Sequence, residues 1–278
     1  MMQLFHELSQ ECSRLTTERY STSFSRAIKL LHPDLRAHIY NIYGFVRFAD
    51  EIVDTFHEYD KKALLAAFKK ETYDAINNKV SLNPILHSFQ LTVNNYQIDK
   101  ELIESFFYSM ECDLAETKYD LPGYEKYIYG SAQVVGLMCL YVFCEGNKDQ
   151  YNQLAEYARA LGSAFQKVNF LRDAKTDYYH LKRTYFPGVD FNNFTQPMKK
   201  RIEEDIKADF KKAYEGIVLL PAKSRFGVYV AYKYYFSLFG KITKVHPSVI
   251  MKGRIRIPDF LKALILLRAG LRSQLNIF

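Results

Sequence analysis

Two groups of oxygen-bearing side chains stand at helical spacing in this chain. The first lies in Arg47-Phe48-Ala49-Asp50-Glu51-Ile52-Val53-Asp54, where Asp50 and Asp54 are four residues apart. In a helix both carboxylates would stand on one face, about 6 Å apart along the axis. Like charges at that spacing repel, and the apolar residues around them predict burial, where an uncompensated carboxylate is costly. A divalent cation resolves the conflict, and an all-oxygen ligand set suits Mg²⁺, with Mn²⁺ as a substitute. The second group runs from Gln166 to Asp177 and sets Asn169, Asp173 and Asp177 at i, i+4 and i+8. Arg47 and Arg172 stand beside the two stripes, and guanidinium forks match phosphate oxygens. One acid pair alone reads more readily as solvated carboxylates on an exposed rim, paired with Arg47 and other bases. Two stripes, each with its arginine, point to a Mg²⁺-assisted clamp for a diphosphate held between two helices.

Such a clamp requires two long, uninterrupted helices. Leu35, Ile39, Ile42, Tyr43, Val46, Ala49, Ile52 and Val53 follow the helical period, which predicts a helix from Pro33 to about Tyr59. A second helix is predicted from Asp149 to about Tyr178, and neither contains an internal proline. Around them, Asn83-Pro84 opens a helix and Asp99 caps another reaching roughly Lys118. Leu121-Pro122-Gly123 predicts a break before an apolar helix over Tyr124 to Phe143. Thr195-Gln196-Pro197 restarts a helix, and Pro221, Pro247 and Pro258 divide the remainder. With no internal repeat, low-complexity linker or composition shift, the expected fold is one all-α domain over residues 1–278.

Composition agrees with a packed helical protein: 48% hydrophobic, 25% charged, and only 12 Gly and 8 Pro, too few for a turn-rich β architecture. Thirty-eight Lys and Arg against 31 Asp and Glu give +7, which favours anionic partners. The positive charge is spread along the chain with no basic arm or zinc pattern, so nucleic acid is not expected. Cys12, Cys112, Cys139 and Cys144 form no CxxC pattern and, with no leader at Met1-Met2-Gln3, read as reduced thiols of a cytoplasmic protein. The most apolar run, Phe260 to Leu271, is interrupted by Lys262 and Arg268; it reads as a core helix rather than one lying on a bilayer. The 22 Tyr and 21 Phe, including Phe106-Phe107-Tyr108 and Tyr232, Tyr234, Tyr235 and Phe236, read mostly as core. Asp113 and Glu116 fit either a site or a surface, and no histidine shows ligand spacing.

The two motifs, DxxxD at Asp50 to Asp54 and NxxRDxxxD at Asn169 to Asp177, resemble those of the head-to-head prenyl synthases, the squalene/phytoene synthase family. The likeness extends through Tyr20-Ser21-Thr22-Ser23-Phe24-Ser25, Ile39 to Arg47, Tyr127 to Gly136 and Leu161 to Gln166. The resemblance implies an all-α isoprenoid-synthase bundle with a central cavity. It implies metal ligation by Asp50, Asp54, Asn169, Asp173 and Asp177, and diphosphate contacts from Ser21, Ser23, Arg47, Gln166 and Arg172. It sets Tyr43, Tyr129, Tyr235 and Arg254 near the diphosphates or the carbocation, and Phe24 on the cavity wall. Tyr20 stands where some relatives carry histidine; a phenol donates a hydrogen bond but is not a cation at neutral pH.

The chemistry implied is ionisation of an allylic diphosphate, capture of the cation by the alkene of a second prenyl diphosphate, and a cyclopropyl intermediate. The reading of Tyr40 to Asp54 is nearer the carotenoid branch, which gives condensation of two geranylgeranyl diphosphates to phytoene, without NADPH, as the expectation. A squalene or dehydrosqualene synthase using farnesyl diphosphate is the alternative. Ile28, one turn past Phe24 and smaller than a ring, leaves room for the longer tail. A non-catalytic lipid-binding or assembly-factor member is the alternative of another class, and it would be expected to have lost acids that this chain keeps. An insoluble product makes peripheral contact with the inner face of a membrane a further expectation; oligomeric state is unreadable.

Overall fold

The computed structural model describes residues 2–115 and 118–274, so Glu116 lies outside the described residues. In chain order the helices are α1 (Met2–Tyr20), α2 (Thr22–Ile28), α3 (Pro33–Asp54), α4 (Lys61–Asn78), α5 (Pro84–Tyr96), α6 (Lys100–Ala115) and α7 (Leu121–Ile128). A π-helical turn at Tyr129–Gln133 leads into α8 (Val134–Phe143), followed by α9 (Lys148–Tyr179). Then come α10 (Gln196–Ile217), α11 (Ala222–Ile242), the single turn α12 (Pro247–Ile250) and α13 (Asp259–Gln274). Among the described residues there is no β-strand, only an isolated bridge between Lys118 and Thr184.

Local chemistry accounts for most boundaries. Pro33 occupies the first turn of α3, where its missing N–H costs nothing. Asn83 caps α5 by accepting from the N–H groups of Ile85 and Leu86. The helix α3 stops at Asp54, short of the expected Tyr59. The ammonium of Lys61 takes the Val53 carbonyl at 2.9 Å, supplying from a side chain what another helical turn would have supplied from the backbone. Leu121-Pro122-Gly123 is not a break but the first turn of α7, whose cap Asp120 accepts from Gly123 N–H at 2.8 Å. The continuous helix expected from Tyr124 to Phe143 is instead divided by the π turn. Close packing accompanies it: a Cβ on Gly130 would stand 2.3 Å from the Ser105 carbonyl of α6.

A core of phenylalanines fixes α3 against its neighbours. The Phe45 ring stacks on Phe89 of α5 at 3.9 Å between centroids and meets Phe106 and Phe107 of α6. On the other side, α9 is oriented by the buried Lys167, whose Nζ lies 2.6 Å from the exposed Asp205 and 2.8 Å from the half-buried Asp209 of α10. Ser163 also donates to Asp209 at 2.7 Å. With Lys167 committed to α10, the opposite face of α9 is turned to the interior. That face approaches the π turn through Gly162, where a Cβ would stand 2.5 Å from the Ala132 carbonyl.

The aromatic runs divide. Phe106, Phe107, Tyr232 and Tyr234 are buried in the core as expected, whereas Tyr108 and Phe236 are exposed. The reading of Phe260 to Leu271 as a core helix needs correction. Ala269 is buried, and Ile265 and Leu266 pack on the core, but Phe260 is 70% exposed and Leu264, Leu267 and Leu271 are exposed with it. The apolar residues cover more of the α13 surface than the single face it packs can bury. No helix among the described residues is long and apolar enough to cross a membrane.

Candidate active site

A cavity of about 490 Å³ runs between α2, α3, α8, α9, α10 and α11, and both acid stripes open onto it. Asp50 and Asp54 line it from α3; Gln166, Asn169, Arg172, Asp173 and Asp177 line it from α9. Behind the acids the wall turns apolar, with Ile28, Leu31, Cys139, Leu154 and Leu161.

The electrostatics show why these acids need a partner. Burial raises Asp50 to about 8, repulsion from Asp54 adds to the rise, and Arg47 opposes it. Asp177 is likewise pushed up to about 8 by burial and by the charges of Asp173 and Asp54. The arginines are partly spent elsewhere. Arg47 pairs with Glu51, one turn along α3. Arg172 bonds Asp173 at 3.1 Å, and Arg254 Nε lies 2.9 Å from the same carboxylate. No three His, Cys, Asp or Glu side chains are gathered at metal-ligand spacing among the described residues. The five expected ligands therefore stand as two separate rows rather than a closed cage. The donor set fits divalent cations: it is all oxygen, and its acids repel one another across the cavity. In addition, the buried Arg47 Nε has no hydrogen-bond partner among the described residues, which suits a phosphate oxygen.

The aromatic residues at this mouth form one group. Phe24 lies 5.9 Å from Tyr43, 5.9 Å from Phe165 and 5.5 Å from Tyr235, and Phe165 stacks on Tyr235 at 4.0 Å. Burial raises the Tyr43 and Tyr235 phenols, so both stay neutral and present π faces. Tyr235 O–H donates to Asn169 at 3.3 Å, which orients one expected ligand. Tyr20, in the place of the histidine, lies beneath the Arg47 guanidinium at 4.3 Å. There it acts as a platform for the arginine. Phe165 escaped the sequence reading because a phenylalanine at helical spacing is indistinguishable from core.

Two expected residues are not on the cavity wall. Ser21 lines the cavity and caps α2, accepting from Phe24 N–H at 3.2 Å, whereas Ser23 does not line it. Tyr129 also does not line it; its ring instead lies under Arg159 at 5.3 Å. Tyr127 faces the cavity in its stead, its O–H 3.0 Å from both Asp113 carboxylate oxygens. A π turn resets helical phase, so spacing alone does not tell which tyrosine of Tyr127-Ile128-Tyr129 points inward.

Asp113 and Arg183 complete the site. Asp113 lines the cavity with its side chain only 5% exposed; burial raises it to about 7 while Arg183 opposes the rise. Arg183, 6% exposed, donates to Asp54 at 2.8 Å. It sits in a loop with no periodicity to mark it.

The profile of the squalene/phytoene synthase family matches residues 17–260, and the chain belongs to that family. Its members are head-to-head prenyl synthases that generally use divalent metal. The chain is 27% identical over 211 residues to 4,4'-diapophytoene synthase of Staphylococcus haemolyticus, covering 75% of this chain and 72% of that one. It is 25% identical over 291 residues to phytoene synthase of Arthrospira platensis, covering 96% and 94%. Some relatives are longer: the chain spans 62% of a phytoene synthase of Solanum lycopersicum and 48% of a bifunctional lycopene cyclase/phytoene synthase of Pyrenophora tritici-repentis. In three dimensions it superposes on a dehydrosqualene synthase crystal structure with a TM-score of 0.84, at 19% identity, covering 98% of each chain. The fold is the all-α isoprenoid synthase fold.

Proposed function

We propose that this protein condenses two geranylgeranyl diphosphates head to head into phytoene through a cyclopropyl diphosphate, in a Mg²⁺-dependent reaction. The observation that carries the reading is the length of the cavity from the outermost acid to its apolar end. Asp177 and Leu154 line the same cavity from the same helix, and a rise of 1.5 Å per residue separates them by about 35 Å. A geranylgeranyl chain, at about 1.5 Å per carbon–carbon bond, extends roughly 20 Å. That leaves room for its diphosphate among the acids.

In this reading Asp50, Asp54, Asn169, Asp173 and Asp177 hold the metal, and Ser21, Arg47, Gln166, Arg172 and Arg254 contact diphosphate oxygens. When bound, Mg²⁺ supplies positive charge against the departing diphosphate. The first C–O bond breaks with its electron pair leaving on the diphosphate, and the alkene of the second substrate attacks the cation. The faces of Phe24, Tyr43, Phe165 and Tyr235 stabilise that cation without attacking it. The released diphosphate takes the proton whose loss closes the cyclopropane. A second ionisation, rearrangement and proton loss give the linear product. No reductant enters the balance, so NADPH is not consumed. The apolar walls exclude water, which would quench the cations to alcohols.

The 27% identity to a diapophytoene synthase supports a second reading with the same chemistry on two farnesyl diphosphates. Incubation with Mg²⁺ and each diphosphate, with and without NADPH, separates them: a C40 hydrocarbon from the C20 substrate alone, unaffected by NADPH, is expected. A C30 product alone would favour the second reading. No hydrocarbon from either substrate would favour a non-catalytic lipid-binding role. The exposed apolar side of α13 supports peripheral contact with the inner face of a membrane, where an insoluble product could be released.

A further inference from the structure

Arg183 touches more of the site than any acid does. Its Nη1 donates to Asp54 Oδ1 at 2.8 Å and lies 3.6 Å from Asp113 Oδ1 and 3.4 Å from the Tyr185 hydroxyl. Its Nη2 donates to the Asp113 carbonyl at 2.8 Å and reaches the Val53 carbonyl at 3.5 Å. Its own backbone N–H donates to the Asp177 carbonyl at 2.9 Å. One residue therefore binds the last acid of the α3 stripe through its side chain and the last acid of the α9 stripe through its backbone.

The setting explains why an arginine is needed. Asp54 is the final residue of α3, and Asp113 lies in the last turn of α6. Helix C-termini carry partial negative charge and unpaired carbonyls, so both acids stand where an anion is disfavoured. A planar fork serves a carboxylate and two helix-end carbonyls at once; an ammonium does so less well. The loop is shaped for the task. Lys182 adopts φ 59°, a left-handed conformation that costs a non-glycine residue energy, and Thr184 is bridged to Lys118. Burial opposes the Arg183 charge, but Asp113, Tyr185 and Asp54 outweigh it and hold the guanidinium above its ordinary pKa.

We infer that Arg183 is a positioning residue that sets the spacing between the two acid stripes, and that divalent-cation affinity at Asp54 depends on it. The inference rests on the metal-dependent reading above. It acts through Asp54, not through contact with the reacting carbons.

The test is Mn²⁺ binding to the purified full chain without substrate, followed through the paramagnetic resonance signal of free Mn²⁺. Arg183→Lys keeps the charge and loses the fork. It is expected to weaken binding about tenfold, the size seen when a residue orienting a metal ligand is altered, with helical content unchanged by circular dichroism. Arg183→Gln should weaken it further. Unchanged affinity in Arg183→Lys would overturn the inference, as would tighter binding in Arg183→Gln, which would make Arg183 merely a competitor of the metal. If the variants do not fold, hydrogen exchange on the wild type decides: Mn²⁺ should slow exchange of the Arg183 amide, and an unaltered rate would refute the link. A wild type that binds no Mn²⁺ and makes no hydrocarbon overturns instead the reading on which this rests.

Discussion

The mouth of the cavity and its floor are built by opposite means. At the floor, apolar side chains from successive helical turns meet one another, and each position is fixed by the periodicity of its own helix. At the mouth, each charged group depends on a partner far away in sequence: Asp54 is held by Arg183, 129 residues on. Asp173 is held both by its neighbour Arg172 and by Arg254. Dry surface is specified locally and tolerates change, whereas concentrated charge is specified by long-range pairing and does not.

The contrast predicts effects of graded size. The largest is at Tyr127, whose hydroxyl bonds both oxygens of a buried carboxylate. Hydrogen bonds to charged groups contribute about 1.5–3 kcal/mol, so Tyr127→Phe should lower the rate of hydrocarbon formation by roughly ten- to a hundredfold. Tyr129→Phe should leave it within about threefold, as a hydroxyl off the cavity wall would. Equal losses in a steady-state assay would erase the distinction between the two tyrosines.

An intermediate effect concerns pH. Asp50 and Asp177 sit at about 8 in the native protein against an ordinary 3.8. Between those values the native state binds more protons than the unfolded chain, so stability falls as pH rises. The metal-free protein, kept in chelator, should therefore melt several degrees lower at pH 9 than at pH 6.5, at about 2–4 °C per kcal/mol. Asp50→Asn should flatten that slope. Mn²⁺ should flatten it too, because a cation replaces the protons. A slope left untouched by Asp50→Asn would mean that Asp50 is not the strained acid described.

The smallest effect belongs to the floor. Ile28 is 4% exposed on the cavity wall. Ile28→Phe should shift preference from C20 toward C15 substrate by roughly 10-fold or somewhat more, the range expected for about a methylene's worth of pocket space. Competition between the two diphosphates measures it, and unchanged selectivity would move the length determinant elsewhere.

The same contrast governs what was legible in the sequence. The acid stripes were readable because helical spacing of polar residues within apolar helices is a local pattern, and Arg172 was readable because it adjoins Asp173. Phe24, Tyr43 and Tyr235, named from the family resemblance, meet at the cavity mouth through ring contacts between α2, α3 and α11. Arg183 was not readable, because the loop after α9 has no period and its partners lie on α3 and α6. Tyr129 was expected from the family resemblance and not from spacing; the tyrosine on the cavity wall is Tyr127, in the last turn of α7 before the π turn. The end of α3 was overrun by five residues because the cap comes from Lys61, a side chain beyond the helix.

The central claim is that both stripes serve one site where two diphosphates leave in succession. The most direct measurement is the ratio of diphosphate released to hydrocarbon formed from geranylgeranyl diphosphate and Mg²⁺ in a single incubation. The account predicts two diphosphates per C40 hydrocarbon, with both products abolished by chelator. Diphosphate released with prenyl alcohol alone, or no release at all, would contradict it.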